Sequence, residues 1–205
     1  MRASPDETVL TREQGEVLVR LARQEIARAL RCPVDCPVSE AEEAGAVFSR
    51  KQGLFVTLLS RGTLRGCIGS LSGTEPLRDG VRRHALNAAF HDQRFAPLDA
   101  AELAGVHIEV SVLTTPEPLT YADSDELIRR LRPDVDGVIL IGPGEKSATF
   151  LPQVWRQLPE PEQFLEHLCR KAGLAPDAWR SGQLRVLTYQ VQSFEEVPRG
   201  GSTNA

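Results

Sequence analysis

The residues best suited to chemistry form the hexapeptide Leu64-Arg65-Gly66-Cys67-Ile68-Gly69. Read as an extended strand, it turns Arg65 and Cys67 to one face, about 6.6 Å apart along the chain, and Leu64, Gly66 and Ile68 to the other. A guanidinium beside a thiol stabilises the thiolate, which is the nucleophilic form. Two glycines within four residues weaken a strand and signal a bulge or close approach by another backbone or a ligand. Cys67 is therefore a candidate nucleophile, Arg65 a candidate anion binder, and Gly66 and Gly69 candidate points of ligand contact. A cysteine in a strand is also often a small core residue, so a purely structural hexapeptide stays open.

A second set of polar side chains falls on Val106–Leu113, where Val106, Ile108, Val110 and Val112 alternate with His107, Glu109 and Ser111. If the second face lines a cavity, Glu109 is a candidate general base and Ser111 a candidate polar contact; if it meets solvent, both are ordinary strand residues. Phe90-His91-Asp92-Gln93-Arg94-Phe95 follows a helix. An Asp92–Arg94 bond there would anchor the loop, or Arg94 would offer its planar fork to a carboxylate or phosphate. His84 lies on the apolar stripe of that helix and pairs with Cys67 only if the helix packs over its strand. Cys32 and Cys36 make a C-x3-C pair with no second pair to complete four zinc ligands, so no metal and no other cofactor is expected. Gly142-Pro143-Gly144-Glu145-Lys146-Ser147 lacks the glycine a Walker loop needs immediately before its lysine and reads as a hairpin turn.

These residues need elements to hold them. Thr11 with Gln14 predicts a capping box opening a helix to Arg31, with Leu18, Leu21, Ala22 and Ile26 on its buried stripe. Strands are expected at Ala46–Arg50, Leu54–Ser60 and Leu64–Leu71, the last two closing a hairpin at Arg61-Gly62-Thr63. Pro76 opens a helix to about Phe90. Asp123 or Ser124 caps a short helix to Leu131, and Pro161 starts another. Further strands are Gly137–Ile141, Ala148–Leu151 and Leu184–Val191. Hairpins and helices intermix without regular alternation, which predicts an α+β fold with a mainly antiparallel sheet and flanking helices. One domain is expected over residues 8–197, with a flexible tail at 198–205.

Composition excludes several classes of function. The 205 residues carry a formal net charge of −4, which argues against a chain that grips nucleic acid or an anionic membrane. Hydrophobic residues make up 41% and charged residues 25%, so a folded core is expected. No apolar run is long enough to span a bilayer. The polar N-terminus and four scattered cysteines fit a reducing, cytoplasmic setting.

The hexapeptide resembles the signature of the AMMECR domain family, named for the Alport syndrome, midface hypoplasia and elliptocytosis chromosomal region. Asp92-Gln93-Arg94-Phe95, Ile108–Leu113, Asp136-Gly137-Val138 and Ala148–Trp155 occur in the family's order. Gln93 stands where proline is expected. The resemblance implies an α+β fold of two unequal lobes with a cleft between them near the hexapeptide. Prokaryotic members resemble AmmeMemoRadiSam system protein A, associated with a Memo-like protein and a radical SAM protein. The family has no settled activity. Three readings follow: a small-molecule-binding protein or enzyme using Cys67, Glu109, Arg65 and Arg94; a non-catalytic module that docks a Memo-like or radical SAM partner; and a structural motif.

Overall fold

The Thr11 hydroxyl accepts the Gln14 backbone N–H at 3.2 Å, and the Gln14 side chain accepts the Thr11 N–H at 2.9 Å. This closes the expected capping box at the start of α1 (Arg12–Ala29). Leu18, Leu21, Ala22 and Ile26 are buried along one face, as their spacing requires. The helix ends with Arg31 at φ 58°, and the Cys32 N–H turns back to the Ala27 carbonyl at 2.8 Å, a left-handed close that satisfies an orphan carbonyl. The structure, a computed structural model, describes residues 9–196; the expected tail at 198–205 lies outside them.

The chain divides into two compact units. Of the described residues, 9–113 and 192–196 form one and Thr114–Val191 the other. In the first unit, β1 (Leu54–Ser60) and β2 (Thr63–Ser70) form a hairpin. Its two-residue turn places Arg61 and Gly62 at φ 50° and 77°, the left-handed pair that suits strand twist. With β3 (Val106–Leu113) and β8 (Val191–Glu195) they make a sheet in the order β2-β1-β3-β8. α1 and α3 (Leu77–Phe90) pack on one face of it, over Val56, Leu58, Ile108 and Val110, all fully buried. The short α2 (Glu40–Glu43) carries its own Ser39–Glu42 capping box.

The second unit holds β4 (Glu117–Pro118), α4 (Ser124–Arg130), β5 (Gly137–Ile141), β6 (Ser147–Phe150), α5 (Pro161–Lys171) and β7 (Arg185–Tyr189). Its antiparallel sheet runs β4-β7-β5-β6. The core beneath it is built on Trp155 stacked on Phe164, with Leu140, Leu168 and Trp179. Asp123 caps α4 by accepting the Glu126 N–H at 2.8 Å. The fold is α+β, with antiparallel sheets and flanking helices.

Two expected strands differ. Ala46–Ser49 is a 3-10 turn rather than a strand. Val47 and Phe48 are adjacent and both buried, which a strand that alternates faces does not allow on a one-sided sheet. Leu184–Val191 is not one strand: β7 ends at Tyr189 and β8 begins at Val191, in different sheets. Gln190 between them exchanges two hydrogen bonds with Thr114, at 2.9 Å each.

Candidate functional site

The register of the first sheet decides which side chains meet. Near the turn Ser60 pairs with Thr63 and Leu59 with Leu64, but beyond it Leu58 pairs with Gly66 and Thr57 with Cys67. The extra residue on β2 is Arg65, a β-bulge. On the other side Thr57 pairs with Glu109 of β3. Directly opposed residues share a face, so Cys67, Thr57 and Glu109 form one row across three strands. That row lies on the face turned away from α1 and α3.

Hydrogen bonds hold each end of the row. The Thr57 hydroxyl donates to the Cys67 sulfur at 3.3 Å. The Ser111 hydroxyl donates to Glu109 Oε1 at 2.9 Å and lies 3.0 Å from Ser193 Oγ on β8. Cys67 and Glu109 are half-buried, and Ser111 is buried. With neighbouring strands about 4.8 Å apart, Cys67 and Glu109 sit two strand spacings from each other with Thr57 between. The hydroxyl next to the sulfur is therefore Thr57, and Glu109 lies one strand further on.

The two arginines singled out from the sequence are each matched to a carboxylate, Arg94 to Asp92 as the loop-anchoring reading expects. The bulge breaks the alternation that would have aligned Arg65 with Cys67. The Arg65 guanidinium grips Glu102 with two bonds, at 2.9 and 2.8 Å, and reaches the Ala96 carbonyl at 2.9 Å. These bonds raise the arginine's pKa and lower that of Glu102. Arg94 grips Asp92 in the same way, at 2.9 and 2.7 Å, and donates to the Cys67 carbonyl at 3.2 Å. Asp92 in turn accepts the Cys67 N–H at 2.9 Å. The guanidinium holds the Asp92 carboxyl well below the usual carboxylate range, against the opposing effect of burial and with help from the Cys67 N–H.

The glycines are filled by the protein itself. A Cβ on Gly66 would lie 2.2 Å from the Ala88 carbonyl oxygen of α3, and one on Gly69 would strike the Phe55 ring at 2.3 Å. Gly66 thus lets the helix backbone approach the sheet. Because α3 packs on the Gly66 side, His84 belongs to the layer opposite the Cys67 side chain. Its Nε2 lies 3.1 Å from Arg83 Nη2.

The sequence points to Cys67, Glu109, Ser111 and the Asp92–Arg94 bond, but not to Thr57, to Glu102, or to the bond between Asp92 and the Cys67 N–H. Thr57, the polar residue of Leu-Phe-Val-Thr-Leu-Leu, was the available signal. Among the described residues, no group of three or more ligating side chains is gathered for a metal, and no helix is long and apolar enough to cross a membrane.

Residues 19–194 match the family described as AMMECR1. A protein of Thermofilum pendens is 40% identical, the match covering 93% of this chain and 94% of that one. A protein of Methanothermobacter thermautotrophicus is 39% identical over 91% and 96%. The crystal structure of an uncharacterised protein from Pyrococcus horikoshii is similar with a TM-score of 0.75 and 35% identity, over 92% of this chain and 95% of that one. The match runs through both units and carries the hexapeptide, the Asp92–Arg94 loop and β3 with it: the chain belongs to the AMMECR1 family.

Proposed function

We propose that the row Cys67–Thr57–Glu109 binds a small polar ligand and that Cys67 acts on it as a nucleophile. One observation carries this reading: a single residue, Thr57, is in register with both Cys67 and Glu109. A thiol, a hydroxyl and a carboxylate thereby share the face of one sheet that is turned away from α1 and α3. The Thr57 hydroxyl fixes the orientation of the Cys67 sulfur. The thiol first loses its proton to solvent; the thiolate then adds to an unsaturated electrophilic carbon of the ligand, the π pair of the broken double bond moves to the ligand's far end, and a proton from solvent reaches that end by way of Glu109, steadied by Ser111. Arg65 and Arg94 support the frame: each is already matched to a carboxylate, so neither is the primary anion site.

Docking of a Memo-like or radical SAM partner on the same face is the alternative. It does not run through strand addition at Cys67, since Asp92 and Arg94 already occupy that residue's outward N–H and C=O. The test is thiol labelling of the folded chain at pH 7 with Cys32 and Cys36 replaced by serine. Cys67 should react far faster than Cys169, which is fully buried. Equal rates would end the nucleophile reading. Partner capture that survives Cys67→Ser, with no turnover in any form, would favour docking.

A further inference from the structure

Glu109 stands apart from the other carboxylates of the chain. Among the described side chains, every other Asp or Glu that is half-buried or buried is ion-paired with an arginine, from Glu16 with Arg12 to Glu196 with Arg23. Glu109 is half-buried, yet no described arginine, lysine or histidine pairs with it. The Ser111 hydroxyl donates to its Oε1 at 2.9 Å, and its Oε2 accepts no hydrogen bond from a described residue. A carboxylate drawn partly out of water without a counter-charge carries a desolvation cost, which a cation brought to it offsets.

The cationic side chains around this face are committed elsewhere. Arg65 is held by Glu102 and Arg94 by Asp92. His107, two residues before Glu109 on β3, has its Nε2 3.2 Å from Glu195 Oε2. Phe55 marks the thiol end of the row. It pairs with Gly69 of β2 and Ser111 of β3, so it shares the face, and its ring lies over Gly69, two residues beyond Cys67. The row therefore has an apolar wall beside the thiol and an unmatched negative charge two strand spacings away, about 9.6 Å along the sheet.

We propose that the ligand of this row carries a nitrogen cation, an ammonium or guanidinium group, which binds Glu109 Oε2 and turns the electrophilic carbon toward Cys67. This rests on the reading of the row as a ligand site and names the class of ligand it takes. The cation donates a charge-assisted hydrogen bond to the carboxylate, and the proton that reaches the ligand by way of Glu109 passes along that bond. An anionic ligand would instead meet the Glu109 charge with both arginines already matched.

The test labels the Cys32→Ser/Cys36→Ser chain at pH 7 with two N-alkyl acrylamides of equal length, one ending in an ammonium group and one in a methyl group. Mass spectrometry gives the ratio of their rates at Cys67, divided by the same ratio for 2-mercaptoethanol. That quotient should be about five, the upper range for a partly exposed ion pair, and should fall toward unity in about 1 M NaCl. Glu109→Gln should bring it to unity. Both reagents use the same proton route, so the quotient isolates charge recognition from any effect of the variant on the reaction itself. Glu40→Gln removes the same charge from an exposed position on α2 and should leave the quotient in place, which separates Glu109 from the net charge of −4 on the whole chain. A quotient of one in the parent chain, or one that survives Glu109→Gln, would overturn the proposal and leave the nucleophile reading standing. If neither reagent labels Cys67, the nucleophile reading fails, and the cation is read on the Cys67→Ser chain instead. There n-butylammonium chloride should raise the thermal midpoint above that in equimolar sodium chloride, and should not do so once Glu109→Gln is added; the same midpoint in both salts would overturn the proposal as well.

Discussion

The buried carboxylate of Asp92 accepts the backbone N–H of Cys67 at 2.9 Å, while Arg94, gripped by the same carboxylate, donates to the Cys67 carbonyl at 3.2 Å. β2 is an edge strand, and two side chains here take the place of a missing neighbour. They close the edge at the one residue whose thiol is the proposed nucleophile, which guards against pairing with another chain. Asp92→Asn should destabilise the fold by on the order of 1.5–3 kcal/mol, the range for a hydrogen bond to a charged group. Urea unfolding measures it.

The same pair has a pH signature. Arg94 depresses the folded-state pKa of Asp92, so its contribution is fully present above the unfolded value, about 3.9, and is lost as pH falls toward the folded value. The stability gap between wild type and Asp92→Asn should hold constant above about pH 5 and narrow in more acid solution. A gap that widens on acidification would contradict the assignment.

Thr57 is the hydroxyl at the sulfur. Thr57→Val keeps the shape and removes the donor, and should slow labelling of Cys67 at pH 7 by roughly fivefold, the equivalent of about 1 kcal/mol. Thr57→Ser should restore most of the rate. An unchanged rate in the valine variant would mean that the 3.3 Å contact does nothing for the thiol.

How much of this was legible turns on one residue. The hairpin turn was readable from Arg61-Gly62-Thr63, and counting outward from it without interruption pairs Cys67 with Val56, on the core face. The bulge at Arg65 shifts the count by one, so that Cys67 faces Thr57 instead. A one-residue slip exchanges the faces of a strand, and no rule of alternation announces where a bulge falls. The two glycines of the hexapeptide hinted at an irregularity but not at its position. β3 was legible because its valines and isoleucine alternate cleanly, and α1 because its cap and stripe agree. The division of Leu184–Val191 between two sheets was hidden, because Gln190 breaks no pattern; what separates the strands is a long-range exchange with Thr114. The partners of Arg65 and Arg94 were only half legible: Asp92 lies two residues from Arg94, but Glu102 reaches Arg65 across 37 positions.

Gly66 tests whether the hexapeptide glycines serve packing. Its missing side chain is the space into which the Ala88 carbonyl projects, at 2.2 Å from a would-be Cβ. Backbone cannot rotate away as a side chain can, so Gly66→Ala should cost at least about 1–3 kcal/mol, the usual range for overpacking. Gly105→Ala is the control, since nothing lies within 4 Å of a Cβ there, and it should leave the thermal midpoint nearly unchanged. Equal effects of the two substitutions would remove the close approach of α3 as the reason for Gly66.

His84 gives a prediction independent of the proposed site. It is only 3% exposed, and burial, with the nearby Arg83 charge, pushes its pKa below the ordinary value. Arg83 can only donate, so at 3.1 Å the His84 Nε2 accepts and the proton sits on Nδ1, which is buried without a hydrogen-bond partner. Below pH 6.5 the unfolded chain takes up a proton at this histidine that the folded chain resists, so folding weakens as the solution becomes more acid. His84→Met removes both the orphaned N–H and this proton linkage. Against wild type it should be near neutral at pH 7.5, where loss of the Arg83 bond offsets relief of the buried N–H. At pH 5.5 it should be more stable, by on the order of 1 kcal/mol. Urea midpoints of the two chains at both pH values decide the matter: a difference that does not change with pH would mean that His84 is as readily protonated in the folded protein as in the unfolded chain.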